Sequence, residues 1–122
     1  MKTVLIIEDN EDNMVLITRF LKKFGYQCIE AFTGLQGLEM LKRDRPDFII
    51  LDIQLPDIDG TEVVKKIRTF EQVGQTPVIA MTSYAMAGDR EKLLAAGCNG
   101  YIEKPIDPDR VISQIRRILS TD

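Results

Sequence analysis

The chain has 122 residues, a formal net charge of -3 and no histidine, which suits a single domain, residues 1–122, built around one hydrophobic core. Acidic and basic residues are interspersed, which argues against a nucleic-acid-binding protein, and the missing histidine removes the commonest zinc ligand and general base. No apolar run approaches the ~20 residues of a membrane span, and Val4-Leu5-Ile6-Ile7 is too short for a signal peptide, so we expect a cytoplasmic protein without membrane contacts.

Segments rich in β-branched and apolar residues alternate with stretches of helical period along the chain. The segments predicted to be strands are residues 3–7, 26–31, 48–51, 78–81 and 101–103. Phe48-Ile49-Ile50-Leu51 is apolar on both faces, as expected of a strand buried between two layers of helices. The alternation therefore predicts an α/β fold, in which a doubly wound five-stranded parallel sheet is flanked by helices.

Capping residues and glycines mark the ends of the predicted helices. Thr33-Gly34-Leu35-Gln36 has the spacing of a capping box. Gly25 and Gly97 fall where the preceding helices need a residue of positive φ. Asp107 is the predicted N-cap of the last helix, with Pro108 at its first position. The apolar face of that helix is formed by Val111, Ile112, Ile115, Ile118 and Leu119.

Functional groups are expected at the carboxyl ends of the strands, where open parallel sheets bind ligands. The residues at these ends are Glu8, Asp9, Asp52, Thr82, Ser83, Lys104 and Pro105. Carboxylates gathered on one edge repel each other unless a cation neutralises them or some stay protonated. A bound cation is the simpler solution, and oxygen-only ligands favour Mg²⁺ over zinc. Acids in such loops are more often helix caps, for which Asp12, Asp57 and Asp59 are candidates.

A carboxylate and a lysine beside Mg²⁺ suit phosphoryl transfer. The carboxylate attacks phosphorus, while the ammonium and the metal stabilise the oxygens of the transferring group. An aspartyl phosphate is a precedented covalent intermediate. The sequence contains no glycine-rich phosphate loop of the GxxxxGK[ST] or GxGxxG type. The phosphoryl group is therefore expected to come from another molecule.

A family resemblance is carried by Val4-Leu5-Ile6-Ile7-Glu8-Asp9-Asn10, Ile49-Ile50-Leu51-Asp52-Ile53-Gln54-Leu55-Pro56, Ile79-Ala80-Met81-Thr82-Ser83 and Tyr101-Ile102-Glu103-Lys104-Pro105. Together these segments resemble the receiver domains of two-component response regulators, and the likeness runs from Val4 to Leu119. It implies the flavodoxin-like receiver fold. It also implies that Asp52 accepts a phosphoryl group from a histidine kinase or a histidine phosphotransfer protein. The same likeness implies a signalling protein and not an enzyme. Such a protein catalyses only its own Mg²⁺-dependent phosphorylation and dephosphorylation.

The resemblance further implies a metal site. Asp9, Asp52 and the backbone carbonyl of Gln54 would hold Mg²⁺, and Glu8 would act through metal-bound water. Mn²⁺ is expected to substitute for Mg²⁺ in such a site.

A switch is implied by the same resemblance. Thr82 would hydrogen-bond the phosphoryl group, Lys104 would pair with it, and Tyr101 would turn inward on activation. The peptide bond between Lys104 and Pro105 is a candidate for the cis form. A downstream effector protein is expected to read the switch on the fourth helix, fifth strand and fifth helix.

The segment after the fourth strand suggests a subgroup. Thr82-Ser83-Tyr84-Ala85-Met86 is more similar to single-domain regulators of the DivK type, and to the receivers of hybrid kinases, than to the chemotaxis type. Tyr84 is hypothesised to limit the approach of water and so slow dephosphorylation.

Three other functions share parts of this pattern. A Mg²⁺-dependent phosphatase of the aspartate-nucleophile type needs a second acid two residues after Asp52, where Gln54 stands. A flavodoxin-like electron carrier needs a hydroxyl- and glycine-rich phosphate loop after the first strand, where Glu8-Asp9-Asn10 would repel anions. A pseudo-receiver, which only binds partners, would not be phosphorylated on Asp52.

Overall fold

Strands and helices alternate in the computed structural model, which describes residues 2–83 and 89–120. The elements are β1 (Thr3–Ile7), α1 (Glu11–Lys23), β2 (Gln27–Ala31), α2 (Gly34–Met40), β3 (Phe48–Asp52), α3 (Gly60–Ile67), β4 (Val78–Thr82), α4 (Asp89–Ala96), β5 (Gly100–Glu103) and α5 (Val111–Leu119). The predicted strands differ from these by one residue at an end, or not at all. Among the described residues, no helix is both long and apolar enough to cross a membrane.

The strands form one parallel sheet in the order β2-β1-β3-β4-β5. This confirms the predicted α/β fold with a five-stranded parallel sheet. The strand order reverses between β1 and β3, and a crevice forms at such a point because the connections leave in opposite directions. Ile7 pairs with Leu51, and Asp52 pairs with Met81. The carboxyl ends of β1, β3 and β4 are therefore level with one another.

Two apolar layers hold the helices on the sheet. Leu5 and Ile7 pack on the face covered by α2, α3 and α4, whereas Val4 and Ile6 pack on the face covered by α1 and α5. β3 and β4 are buried along their whole length, as expected for central strands covered on both sides. The described part of the chain thus has the two-sided core that the sequence pattern predicted.

The start of α2 and two helix ends agree with the predicted capping. Thr33 is the N-cap of α2, and its side chain accepts a 3.0 Å hydrogen bond from the Gln36 N–H. The Gln36 side chain accepts from the Phe32 N–H at 2.7 Å, one residue before the donor used in a standard capping box. Gly25 and Gly97 have φ of 91° and 116°, so both adopt the left-handed conformation that ends a helix.

The predicted start of the last helix is wrong by three residues. α5 begins at Val111, and its N-cap is Arg110, whose side chain makes no capping hydrogen bond. Asp107 instead opens a turn, because its carboxylate accepts from the Asp109 N–H at 3.0 Å. Its backbone carbonyl accepts from Arg110 and Val111. Pro108 lies inside this turn and not in the helix.

Candidate functional site

The turn after β1 separates two adjacent carboxylates. The Glu8 N–H donates to the Ala31 carbonyl at 3.0 Å, which extends the pairing of β1 with β2 by one residue. The Glu8 side chain is completely buried and accepts from the Asn10 N–H at 3.1 Å, whereas Asp9 is exposed. Asn10 then caps α1 by accepting from the Asn13 N–H at 2.9 Å. The turn therefore directs one carboxylate inward and leaves the next at the surface.

Asp52 is the last residue of β3 and is only 3% exposed. Its Oδ1 accepts a 3.0 Å hydrogen bond from the Gln54 N–H. The Ile53 N–H donates to the Met81 carbonyl at 3.1 Å, which continues the pairing of β3 with β4 past Asp52. The backbone on both sides of Asp52 is therefore fixed, and the Gln54 side chain is exposed at the rim.

Lys104 connects the two buried carboxylates. Its Nζ lies 2.9 Å from Glu8 Oε1 and 3.1 Å from Asp52 Oδ2. The backbone N–H of Lys104 donates to the Thr82 carbonyl at 2.9 Å, so the end of β4 fixes the backbone from which the lysine side chain extends. The Lys104–Pro105 peptide bond is cis. Three strand ends therefore meet at one ammonium group.

Burial and charge shift the pKa values of this group in a consistent way. Burial raises the pKa of Glu8, and nearby Asp52 raises it further, against the lowering effect of the hydrogen bonds from Lys104 and the Asn10 N–H. Burial by itself would lower the pKa of Lys104, but Glu8 and Asp52 outweigh it, and the net pKa is raised. Lys104 is therefore charged at neutral pH, whereas burial opposes ionisation of the Glu8 carboxyl beside it.

The cluster fits a divalent cation. Glu8, Asp9 and Asp52 each offer one carboxylate oxygen, and these three atoms lie within 4.8 Å of one another. The donors are hard oxygens from two buried residues and one exposed residue, which matches the preference of Mg²⁺ for a few carboxylates and several waters. A cation bound between these oxygens would favour the charged form of the carboxylates and offset their mutual repulsion. The arrangement is therefore compatible with Mg²⁺.

The other predicted site residues lie along the same edge of the sheet or next to it. Thr82 ends β4 and is 4% exposed. Tyr101 lies in β5 opposite Ala80, is half-buried and packs against the core on the α2, α3 and α4 face. The hypothesis about Tyr84 concerns a position outside the described residues. The structure thus brings Glu8, Asp9, Asp52 and Lys104 together, with Thr82 at the neighbouring strand end.

The three candidate caps have different roles. Asp59 caps α3, as expected, by accepting from Thr61 N–H at 2.8 Å. Asp12 lies exposed in the first turn of α1, whose N-cap is Asn10. Asp57 caps α2, a helix to which it does not belong, by accepting from the N–H groups of Gly34 and Leu35. No local pattern signals this contact, since its partners lie 23 and 22 residues away.

Comparison of the sequence with known families and proteins gives a consistent result. Residues 4–116 match the model of the response regulator receiver domain. The chain is 42% identical over 118 residues to the polar-differentiation response regulator DivK of Brucella anthropi. The aligned region covers 97% of this chain and 96% of that protein. The DivK protein of Brucella abortus is similar to the same extent.

Solved structures of the same shape include receivers from other systems. The chemotaxis response regulator CheY4 of Vibrio cholerae superposes with a TM-score of 0.92 at 27% identity, covering 97% of this chain and 98% of its own. The receiver domain of a sensor histidine kinase from Pseudomonas aeruginosa superposes with a TM-score of 0.88 at 35% identity, covering 98% of both chains. That receiver has a magnesium ion coordinated in its active-site cleft.

Proposed function

The chain belongs to the response regulator receiver domain family and is a receiver of a two-component system similar to DivK, and from this we propose that Asp52 is the residue that accepts the phosphoryl group. The observation that supports this assignment is the meeting of Asp52 with Glu8, Asp9 and Lys104 at one strand edge. Asp52 carries a buried carboxylate whose orientation is held by Gln54 N–H and Lys104 Nζ. Such fixed positioning is the main requirement for phosphoryl transfer.

In the proposed reaction an oxygen of Asp52 attacks the phosphorus of a phosphohistidine on a partner protein. The new O–P bond forms as the P–N bond breaks, and the electron pair leaves with the imidazole. Lys104 Nζ, already 3.1 Å from Asp52 Oδ2, is close enough to pair with the transferred oxygens. The self-catalysed phosphorylation and later hydrolysis are both part of this proposal.

Mg²⁺ is the proposed cofactor, and Mn²⁺ is proposed to substitute for it. Asp9, Asp52 and the Gln54 carbonyl would hold the ion directly, and Glu8 would hold it through water, in keeping with the reach of the three carboxylates. When bound, the ion supplies positive charge that offsets the phosphoryl oxygens. Gln54 enters this set through its backbone, whose N–H already binds Asp52.

The proposed switch converts the new charge into a change of packing. A phosphoryl group adds acceptor oxygens that draw the Thr82 hydroxyl towards Asp52. Tyr101, which packs half-buried on the α4 side of the sheet, would then move into the space vacated. Because Thr82 and Tyr101 lie on the paired strands β4 and β5, the shift is passed to the face formed by α4, β5 and α5.

We propose protein partners on both sides of the signal. A histidine kinase or histidine phosphotransfer protein donates the phosphoryl group, and a downstream effector binds the α4, β5 and α5 face. Leu94 is 43% exposed there and borders a groove with Arg90, Tyr101 and Arg117. The acidic net charge of -3 favours proteins over nucleic acid as partners.

A cytoplasmic location agrees with the free thiols of Cys28 and Cys98.

The test incubates the protein with Mg²⁺ and acetyl phosphate and measures the intact mass. We expect one phosphoryl adduct on the wild-type chain, no adduct on Asp52→Asn, and none without Mg²⁺. Asp59→Asn is the matched control, because Asp59 ends the loop that follows Asp52 and caps α3, and this variant should be phosphorylated like the wild type. Failure of the wild type to form an adduct with any donor would contradict the proposal and indicate a pseudo-receiver, which only binds partners. Release of phosphate from unrelated phosphate esters would favour the phosphatase.

A further inference from the structure

The loop between β3 and α3, residues 53–59, is attached to a helix from another part of the chain. Asp57 Oδ1 accepts a 3.0 Å hydrogen bond from the Gly34 N–H, and Oδ2 accepts a 2.9 Å hydrogen bond from the Leu35 N–H. These donors are the first two residues of α2, whose N–H groups have no partner within the helix. Thr33 uses its own side chain on the Gln36 N–H. Both oxygens of Asp57 are therefore engaged by a helix end that Thr33 caps only in part.

Packing at Gly34 forms a second contact between the same loop and helix. A Cβ atom at Gly34 would lie 2.3 Å from Ile58 Cγ2 and 3.3 Å from Leu55 Cδ1. Any larger residue at position 34 would force the Ile58 side chain to move, so the loop packs closely on the start of α2. Asp57 lies between these two apolar contacts in sequence, so hydrogen bonding and packing hold the same stretch of loop.

The attached loop carries the groups that complete the proposed site. Its first residue, Ile53, is tied to β4 through Met81 and accepts from the Gly60 N–H at 3.0 Å. Between these fixed ends lies Gln54, whose N–H orients Asp52 Oδ1 at 3.0 Å. The carbonyl of Gln54 is a metal ligand in the proposed function. The middle of the loop is held instead to α2, through Asp57.

We infer that Asp57 is a positioning residue, which holds Gln54 in the geometry needed for Mg²⁺ binding by fastening the loop to α2. The effect on Mg²⁺ binding rests on the proposed function, whereas the attachment of the loop to α2 does not. A cap that served only α2 would stabilise the helix and leave the site unaffected. A positioning residue changes the site when it is removed, because the Gln54 N–H and carbonyl lose their fixed orientation.

The matched variants are Asp57→Ala and Thr33→Ala. Each removes a side chain that caps the same end of α2, but only Asp57 belongs to the loop. Similar losses of thermal stability are expected for both variants. We expect the dissociation constant of Mg²⁺ for the unphosphorylated protein, measured by calorimetry, to rise roughly tenfold in Asp57→Ala and to stay unchanged in Thr33→Ala. Asp57→Asn, which keeps one acceptor, should lie between Asp57→Ala and the wild type.

A second measurement reports the loop without any metal. Hydrogen exchange of the Gln54 amide, followed by NMR in Mg²⁺-free buffer, should be several-fold faster in Asp57→Ala and unchanged in Thr33→Ala. Unchanged exchange in Asp57→Ala, or an equal change in both variants, would overturn the inference. Equal Mg²⁺ affinities in Asp57→Ala and the wild type would also overturn it. A wild-type protein that binds no Mg²⁺ would instead remove the proposed function, and the exchange measurement would still decide whether Asp57 holds the loop.

Discussion

At the scale of single residues, the adjacent carboxylates of Glu8 and Asp9 lie in different environments. Glu8 is completely buried and paired with Lys104, whereas Asp9 is exposed. Asp52 is buried, yet one of its oxygens faces the same ammonium at 3.1 Å. Lys104 is therefore the group that allows two carboxylates to remain close together inside the protein, since an unpaired buried charge is strongly destabilising.

We predict that Lys104→Met destabilises the Mg²⁺-free protein at neutral pH by about 3 kcal/mol, because two buried carboxylates lose their cation. Mg²⁺ should restore more stability in this variant than in the wild type, since the ion then becomes the cation that separates the carboxylates. Urea unfolding with and without Mg²⁺ measures both effects. Lys65→Met is the control, because Lys65 is an exposed lysine 3.4 Å from Glu62 and should change stability by less than about 0.5 kcal/mol. Equal losses in the two variants would contradict the role given to Lys104.

At the scale of elements, helix ends are completed by residues near and far in sequence. α1 and α3 are capped by Asn10 and Asp59 from the residue directly before each helix. α2 is capped by Thr33 and also by Asp57, which belongs to another loop. Partial desolvation alone would raise the pKa of Asp57, but the N–H donors of Leu35 and Gly34 lower it below its ordinary value.

The lowered pKa of Asp57 predicts how its contribution changes with pH. A depressed pKa in the folded state means that the carboxylate stabilises the protein above the unfolded pKa and loses this effect as pH falls through the folded pKa. The free energy of unfolding of the wild type should exceed that of Asp57→Ala by about 1 kcal/mol at pH 7, and the difference should shrink below about pH 4. Thr33→Ala, which removes no titratable group, should have a pH-independent effect in the same denaturation series. A constant difference for Asp57→Ala would contradict the prediction.

At the scale of the whole molecule, one arginine joins three segments at the sheet edge opposite the candidate site. Arg68 follows α3 and donates to the carbonyls of Gly97, Gly74 and Thr76, and to the Asn99 side chain. It thus ties the end of α3 to the segments that precede β4 and β5. Arg68 therefore fixes the amino ends of β4 and β5, opposite the strand ends that carry Thr82 and Lys104.

We predict that Arg68→Lys lowers the free energy of unfolding by about 2 kcal/mol, because an ammonium cannot reproduce the several directed hydrogen bonds of a guanidinium. Arg45→Lys is the control, since Arg45 donates at the exposed surface to Gln72 and should cost less than about 0.5 kcal/mol. Denaturant unfolding measures both. Mg²⁺ affinity should be unchanged in Arg68→Lys, and a large change would mean that the two edges of the sheet are coupled.

The sequence by itself determined the alternation of strands and helices, the parallel sheet and the family. It also identified Glu8, Asp9, Asp52 and Lys104 as residues of one edge, which the structure brings together. These predictions succeed because apolar periodicity is local and because parallel strands end at the same edge. The comparisons with known proteins confirm the family and the resemblance to DivK.

Only the tertiary structure decided which carboxylate is buried, where α5 begins, and what Asp57 and Arg68 contact. Asp107 looked like an N-cap, but its carboxylate opens a turn, and the observed N-cap, Arg110, lies three residues later. The partners of Asp57 lie more than twenty residues away, and Arg68 reaches Gly97 across 29 residues. Such contacts have no local sequence signal, because they depend on which loops the packed sheet and helices bring within hydrogen-bonding distance.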